Sequence, residues 1–325
     1  MKAVVRERYG SPDVLRLEEV AVPTPHKGQV LVRIIATSIN LSDWEGLRGW
    51  PAYARFRGFG LFRPSRRILG SDIAGVVVSV GGGVTRFREG DAVYGDILAM
   101  TGGFAEYAVA SEEMLALKPA QLSFAAASTL PQSGAIAIQA ITRATPGARM
   151  LINGAGGGTG AFALQLAAAR GLHVTAVDNA GKLDFMRSLG AAAVIDYRTD
   201  DYTRTGPYDL IVDLVARRSV FAYRRALARG GTYLIVGGTL RVLLRVLTIG
   251  AAIGALTGRT LRVLAVKQGP PHFAALADRS VAGEVRICID RLFPLEQVPE
   301  ALAYVGEGRA LGKVVVLIDP AADAS

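Results

Sequence analysis

The sequence predicts a two-domain α/β protein built on a doubly wound parallel sheet, and three observations carry that prediction. Its 325 residues are about twice the length of a typical domain. Short β-branched segments fill the chain up to Pro119, and from Ser123 Ala-rich helical segments alternate with short apolar strands. A glycine-rich turn, residues 153–160 (NGAGGGTG), stands between the first of those later strands and the helix behind it. The boundary is expected near residue 122. This gives one domain from 1–122 and 267–325 and another from 123–266.

In the first region, strands are expected at the N-terminus (MKAVVRERYG) and at 29–36, 73–80, 91–94 and 105–109, each β-branched and bounded by Gly, Pro or Asp. In the second region they are expected at 149–153, 173–177, 193–195, 210–213, 232–236 and 261–266, with helices such as 159–170 and 182–189 between them. In such a sheet the ligand crevice lies at the carboxyl ends of the strands. After Lys267 the pattern is mixed, and the apolar run 314–318 suits a strand that rejoins the first domain.

Hydrophobic residues make up 50% and charged residues 20% of the chain, the balance of a protein with a real core and not of a disordered one. The single cysteine, Cys288, excludes an internal disulfide framework and a Cys-rich zinc lobe, and suits a reducing cytoplasm. No secretory leader is expected, because the first ten residues alternate charged with apolar side chains. The 37 basic and 28 acidic residues leave a net charge of +9. Arginines scattered along the chain read as a basic surface suited to a cofactor's phosphates. The most apolar stretch, 242–256 (VLLRVLTIGAAIGAL), holds Arg245 and falls short of the ~20 residues that span a bilayer. No membrane span is expected there. Beside Arg241 and Arg259, the stretch suits an interfacial helix or a helix packed over a pocket or subunit.

Glycines in the 153–160 turn have a physical reason. Lacking Cβ, they permit a tight turn, let backbone N–H groups approach a pyrophosphate and bring the helix close to the sheet. Two registers suit the dinucleotide fingerprint, Ala155-x-Gly157-x-x-Gly160 and Gly156-x-Gly158-x-x-Ala161, and the first is favoured. Cofactor contacts are therefore expected from Ala155, Gly156, Gly157, Gly158, Thr159 and Gly160. Asp178, at the end of the next strand, suits the ribose hydroxyls of NADH, whereas Lys182 suits the 2′-phosphate of NADPH. The two residues point to different cofactors.

Collinear motifs then run along the chain: 36–43 (ATSINLSD) with Arg48-Gly49, 69–75 (LGSDIAG), 90–95 (GDAVYG), 102–107 (GGFAEY), 187–191 (RSLGA) before 194–197 (VIDY), and 308–313 (GRALGK). With these motifs the chain resembles the medium-chain dehydrogenase/reductases, in particular the zinc-independent quinone oxidoreductase and enoyl reductase branch. The resemblance spans nearly the whole chain and implies a Rossmann domain plus a β-rich GroES-like catalytic domain. It also implies a nicotinamide cofactor, NADPH favoured slightly over NADH, with Gly237 and Lys313 as further cofactor contacts. A homodimer paired through the strand at 261–266 is implied as well.

Alcohol dehydrogenases of the same superfamily carry a zinc-binding Cys where Asn40 stands and a His-Glu pair where Ser71-Asp72 stand. His26, His173 and His272 are too dispersed to replace those ligands, so no zinc is expected. Without a Lewis acid, the chemistry best served is hydride transfer to a carbon made electrophilic by conjugation, as in quinones and α,β-unsaturated carbonyls. Asn40 is the expected polar contact near the nicotinamide. Because Trp50-Pro51 stands where relatives place a proton-donating Tyr, Tyr53 is the candidate donor, with water as the alternative source and pocket lining as the alternative role of Tyr53. Trp50 and Ser133 are expected to line the substrate pocket, Ser133 because 130–134 (LPQSG) resembles the segment that enters it. Two other functions compete: a zinc-free alcohol dehydrogenase, and an RNA-binding protein of the same fold that uses the Arg- and aromatic-rich loop 50–67.

Overall fold

The computed structural model describes residues 1–51, 55, 60–142 and 144–323. The chain divides into two compact units, Met1–Ala135 with Lys267–Ser325, and Ile136–Val266. Strands of the first unit are β1 (Lys2–Arg6), β2 (Leu15–Glu19), β3 (Gln29–Ile39), β4 (Asp72–Val80), β5 (Ala92–Asp96), β6 (Tyr107–Ser111) and β7 (Leu115–Leu117). The second unit holds β8 (Arg149–Asn153), β9 (His173–Asp178), β10 (Ala193–Asp196), β11 (Tyr208–Asp213), β12 (Leu227–Ile235) and β13 (Thr260–Val263). The chain then returns to the first unit with β14 (Ile289–Pro294) and β15 (Lys313–Leu317). Helices that matter below are α1 (Leu41–Arg48), α2 (Phe124–Ser128), α3 (Pro131–Ile141), α4 (Gly158–Ala169), α5 (Leu183–Ser188), α6 (Val220–Ala226) and α7 (Leu240–Thr257).

The sheet of the first unit runs β14-β15-β3-β4-β5-β7, with β6 also paired to β3. β15 pairs antiparallel with β3, so the last apolar run of the chain is built into this unit. β3 is the central element and its side chains are buried on both faces. Val30, Val32 and Ile34 join one core cluster, while Ile39 joins another with Leu47, Leu302 and Val314. β1 and β2 form a separate antiparallel pair. The sequence reading misses β2 because LRLEE alternates over only four residues and is rich in charge, and of its two leucines only Leu15 is buried.

In the second unit six strands run parallel in the order β10-β9-β8-β11-β12-β13. The order departs from β8 in both directions, which puts the topological switch point at the carboxyl ends of β8 and β11. Those ends are tied together. Asn153 donates from Nδ2 to Asp213 Oδ1 at 2.8 Å, and the same oxygen accepts the backbone N–H groups of Val215 (3.0 Å) and Ala216 (2.8 Å). Ala216 thereby holds a left-handed φ of 58°. Tyr233 donates to Asp213 Oδ2 at 3.0 Å, and its ring stacks on Tyr223 at 4.2 Å. Burial first, and the Asp213 carboxylate second, push both hydroxyls far above the usual tyrosine range, so they act only as neutral groups.

β13 ends at Val263 where a strand to 266 is expected, although Leu264 still donates to Ile235 O at 2.9 Å. Its neighbour β12 ends at Ile235, opposite Val263, so the pairing stops there. The apolar stretch forms α7, a helix containing one π turn (Val246–Gly250), and only 17% of it is buried. Tyr233→Phe should remove one donor from the buried Asp213 and cost about 1–3 kcal/mol, read as a lower denaturant midpoint at an unchanged slope. Unaltered stability would mean that the hydroxyl does not hold this strand end.

Candidate active site

Strand register assembles the polar cluster of the first unit. Val314 stands opposite Ile39 and Asp72 opposite Ser38, while Asp96 stands opposite Asp72. Lys313, Asn40, Asp72 and Asp96 therefore meet along one end of neighbouring strands, all buried. Lys313 Nζ donates to Asn40 Oδ1 at 2.7 Å and to Ser133 Oγ at 3.2 Å, and lies 3.7 Å from Asp72 Oδ2. Asn40 Nδ2 donates to Asp72 Oδ2 at 2.8 Å and to Ser71 Oγ at 3.1 Å. Asp72 also accepts the Gln132 N–H at 3.1 Å and the Ser38 hydroxyl at 3.3 Å. Both amide hydrogens and the oxygen of Asn40 are thus committed within the protein.

Asn40 also precedes α1, and its backbone N–H donates at 2.8 Å to Asp43 on the first turn of that helix. Burial pushes the Asp43 carboxyl up to about 7 and that of Asp96 up to about 8, in the latter case with help from the Asp72 charge. Burial likewise raises Asp72 and lowers Lys313, while their mutual attraction opposes both shifts. One ammonium therefore serves three buried carboxyls, and burial raises all three.

In the second unit the glycine-rich turn follows β8. Gly154 adopts a φ of 88°, and Gly154 and Ala155 donate to Val177 O at 2.9 and 3.1 Å. A Cβ on Gly160 would stand 2.3 Å from Gly154 O and 2.5 Å from Ala155 Cα, so only glycine lets α4 approach the turn this closely. At Gly157, the N-cap of α4, a Cβ would meet nothing nearer than 3.7 Å, and at Gly237, just past β12, nothing within 4 Å. This geometry leaves room for a phosphate at a helix N-terminus.

Asp178 and Lys182 are each other's partners. Their charged atoms lie 3.7 Å apart and both residues are buried. Asp178 Oδ2 also accepts the Gly156 N–H at 3.1 Å, and Oδ1 accepts Asn179 N–H groups at 2.9 and 3.1 Å. The Lys182 stem packs over Gly156, where a Cβ would come within 2.5 Å of Lys182 Cδ.

The structure places the other expected residues as follows. Ser133 is buried at the start of α3 on the Lys313 ammonium. Lys313 itself is held in the first unit's cluster, on Asn40 and Ser133. Trp50 is 59% exposed, and Tyr53 lies outside the described residues. Three described arginines of the 50–67 loop are engaged with the protein, Arg55 with Gly49 O, Arg66 with Leu98 O, and Arg67 with Glu7 and Glu18, while Arg63 is exposed. Among the described residues, no three His, Cys, Asp or Glu side chains converge as a metal site would need. Sequence reasoning overlooks Asp96, Gln132 and the pair Tyr197-Arg198. Tyr197 donates its N–H to Asp178 O at 3.1 Å, which brings it to the end of β9. Its signal was the expected parallel pairing of the two strands.

Two outcomes follow. Lys313→Met should leave Asp72 buried without its cation and lower stability by about 3–5 kcal/mol, while adding Asp72→Leu should restore part of the loss in chemical denaturation. An additive double variant would show that the two charges do not interact. The second concerns pH. Because Asp43 and Asp96 titrate higher in the folded state than their ordinary carboxylate range of about 4, their stabilisation is full below that range and fades as pH rises through about 7 and 8. The melting temperature should fall between those limits, and Asp96→Asn should flatten the fall. An identical slope in wild type and variant would contradict it.

Comparison with known proteins agrees with this geometry. The alcohol dehydrogenase GroES-like domain family matches residues 26–120, and the zinc-binding dehydrogenase family matches 189–316. The chain is 33% identical to the chloroplastic quinone-oxidoreductase QR1 of Triphysaria versicolor, over 97% of this chain and 98% of that protein. It is 30% identical to the chloroplastic NADPH-dependent alkenal/one oxidoreductase of Arabidopsis thaliana, over 97% and 79%. Its fold matches the quinone oxidoreductase from Coxiella burnetii with a TM-score of 0.89 at 28% identity, covering 98% of this chain and 99% of that one. A GroES-like unit whose strand register builds the buried cluster, a Rossmann unit with its glycine-rich turn, and relatives of nearly equal length lead to one assignment: the chain is an oxidoreductase of the medium-chain dehydrogenase/reductase family, in its quinone oxidoreductase branch.

Proposed function

We propose that this protein is a zinc-independent, NAD(P)H-dependent reductase that passes a hydride to quinones or α,β-unsaturated carbonyls. The observation that carries the reading is the Lys313 ammonium, 2.7 Å from Asn40 Oδ1, where the resembling alcohol dehydrogenases hold a metal ligand. A divalent cation there would face another cation, with an amide and a hydroxyl in place of thiolate and imidazole. These residues do not fit zinc, which disfavours the alcohol dehydrogenase reading and favours acceptors activated by their own conjugation. The printed names of the Triphysaria and Arabidopsis relatives cover the same two acceptor classes.

When bound, reduced nicotinamide supplies the hydride. The chain's part is to hold and orient it. Backbone groups from Ala155 through Gly160 and the N-terminus of α4 receive the pyrophosphate, and Gly160 as the third glycine favours the Ala155-x-Gly157-x-x-Gly160 register. Thr159 lies in the first turn of α4, and Gly237 offers a second close approach. Asp178, neutralised by Lys182, no longer repels a 2′-phosphate, and exposed Arg198 follows Tyr197 beside it. NADPH is therefore preferred to NADH, as in the Arabidopsis relative's name.

Asn40, with its amide fully engaged, acts as a positioning residue that fixes Lys313 and the start of α1. Trp50, through its exposed indole, and Ser133 line the substrate pocket, and the final proton comes from water or Tyr53. The outer edge of β13 pairs two copies into a homodimer. A reducing cytoplasm suits the free thiol of Cys288.

The test is consumption of NADPH on addition of a naphthoquinone or an enone, unaffected by a chelator. No consumption with any acceptor, or stoichiometric zinc by elemental analysis, would overturn the reading. Gly160→Val should abolish nucleotide binding in calorimetry. Lys182→Ala should weaken NADPH by about 1 kcal/mol or more, roughly fivefold in KM, with a smaller effect on NADH. Equal effects on both nucleotides would remove the 2′-phosphate from its neighbourhood.

A further inference from the structure

Helix α7 presents a surface that the reductase reading does not use. Val246, Gly250 and Ile253 face inward, where Val246 and Ile253 join the core cluster with Leu261 of β13. Outward stand Leu244, Leu247 and Ile249, with Leu256 86% exposed. The two hydroxyls of this helix are turned back on it, Thr248 to Leu244 O and Thr257 to Ile253 O, each at 2.7 Å. The exposed face beyond Arg245 therefore offers almost nothing polar to water.

Along this stretch of the chain the charge has one sign, although Arg225 of α6 lies 3.7 Å from Asp201. From Leu214 to Ala277 the chain carries nine arginines and one lysine and no Asp or Glu. Arg241 and Arg245 are exposed on α7 itself. Helix α6 packs against α7 and adds exposed Phe221 and Arg224. An apolar strip flanked by arginines is the composition of a helix that lies in the headgroup layer of a bilayer.

We propose that α7 seats the protein on an anionic lipid surface, with the leucines entering the acyl boundary and the arginines meeting the headgroup phosphates. The helix lies flat and does not span. Parallel pairing of β12 and β13 makes α7 their crossover, and its C-terminal end is fastened to the start of β12 by Gly230 N–H to Gly258 O at 2.8 Å and Arg259 Nε to Leu227 O at 3.0 Å. Lifting it through a membrane would uncover the core side of β13. A second copy on this face is disfavoured because a two-fold contact sets the face against itself, and the segment supplies no carboxylate to pair with its own arginines. Nucleic acid would use the arginines but gain nothing from Leu247 or Leu256.

The test is co-sedimentation of the full chain with vesicles of phosphatidylcholine alone or mixed with phosphatidylglycerol, at low and moderate salt. Binding is expected on the anionic vesicles, weakened by salt and absent from neutral ones. Leu247→Ser/Leu256→Ser and Arg241→Gln/Arg245→Gln should each reduce it about tenfold or more. Both should keep NADPH oxidation, melting temperature and mass by light scattering. The proposal is overturned if wild type ignores anionic vesicles, if the leucine variant binds as wild type does, or if that variant changes the subunit count, which would assign the face to a second copy.

Discussion

The first unit is organised around one buried charge pair, Lys313 with Asp72, and around the strand register that brings them together. Neither charge would tolerate the core alone, since an isolated ion there costs several kcal/mol. Asn40 reconciles them by accepting from Lys313 and donating to Asp72, and Ser38, Ser133 and the Gln132 N–H satisfy what remains. The arrangement depends on Val314 facing Ile39 and Ser38 facing Asp72. A slip of one residue in β15 would turn Lys313 to the other side of the sheet and leave Asp72 without a cation. The end of the chain is thus fixed into its first half by electrostatics as well as by the apolar contacts of Val314 and Val316.

The second unit solves a different problem with backbone alone. Its turn must bring a helix N-terminus against a strand end, and the close approach at Gly160 does so without any polar side chain. Beneath it, Asn153 and Asp213 join the two strand ends at the switch point. The same division of labour shapes the chemistry. The turn presents peptide groups and a helix N-terminus, whereas charge in the first unit holds side chains still. The hydrogen bonds among Lys313, Asn40, Ser133 and Asp72 hold these side chains in fixed places.

The surface of the second unit has its own logic. A crossover helix in a doubly wound sheet needs one apolar face, and α7 has far more than one. Its inner side meets that need with Val246, Gly250 and Ile253, so the outward leucines do not serve the fold. The lack of acidic residues through that part of the chain gives the helix a coherent positive border, while acidic residues elsewhere moderate the net charge of +9.

The sequence by itself determined the parallel sheet, the turn that opens α4 and the family, because each is local: β-branched runs, a glycine pattern and collinear motifs are written in consecutive residues. It located all six strands of the second unit, with β12 starting at Leu227 and not 232, but missed β2, β7 and β14 in the first. What it read as rivals, Asp178 and Lys182, are partners, and Lys313, expected beside the cofactor, has Asp72 as its counter-ion. Only the tertiary structure decided these matters, because pairing between Lys313, Asn40 and Asp72 depends on the register of three strands far apart in the chain. It also decided which side of α7 is covered, since hydrophobicity along a helix does not reveal what lies against it.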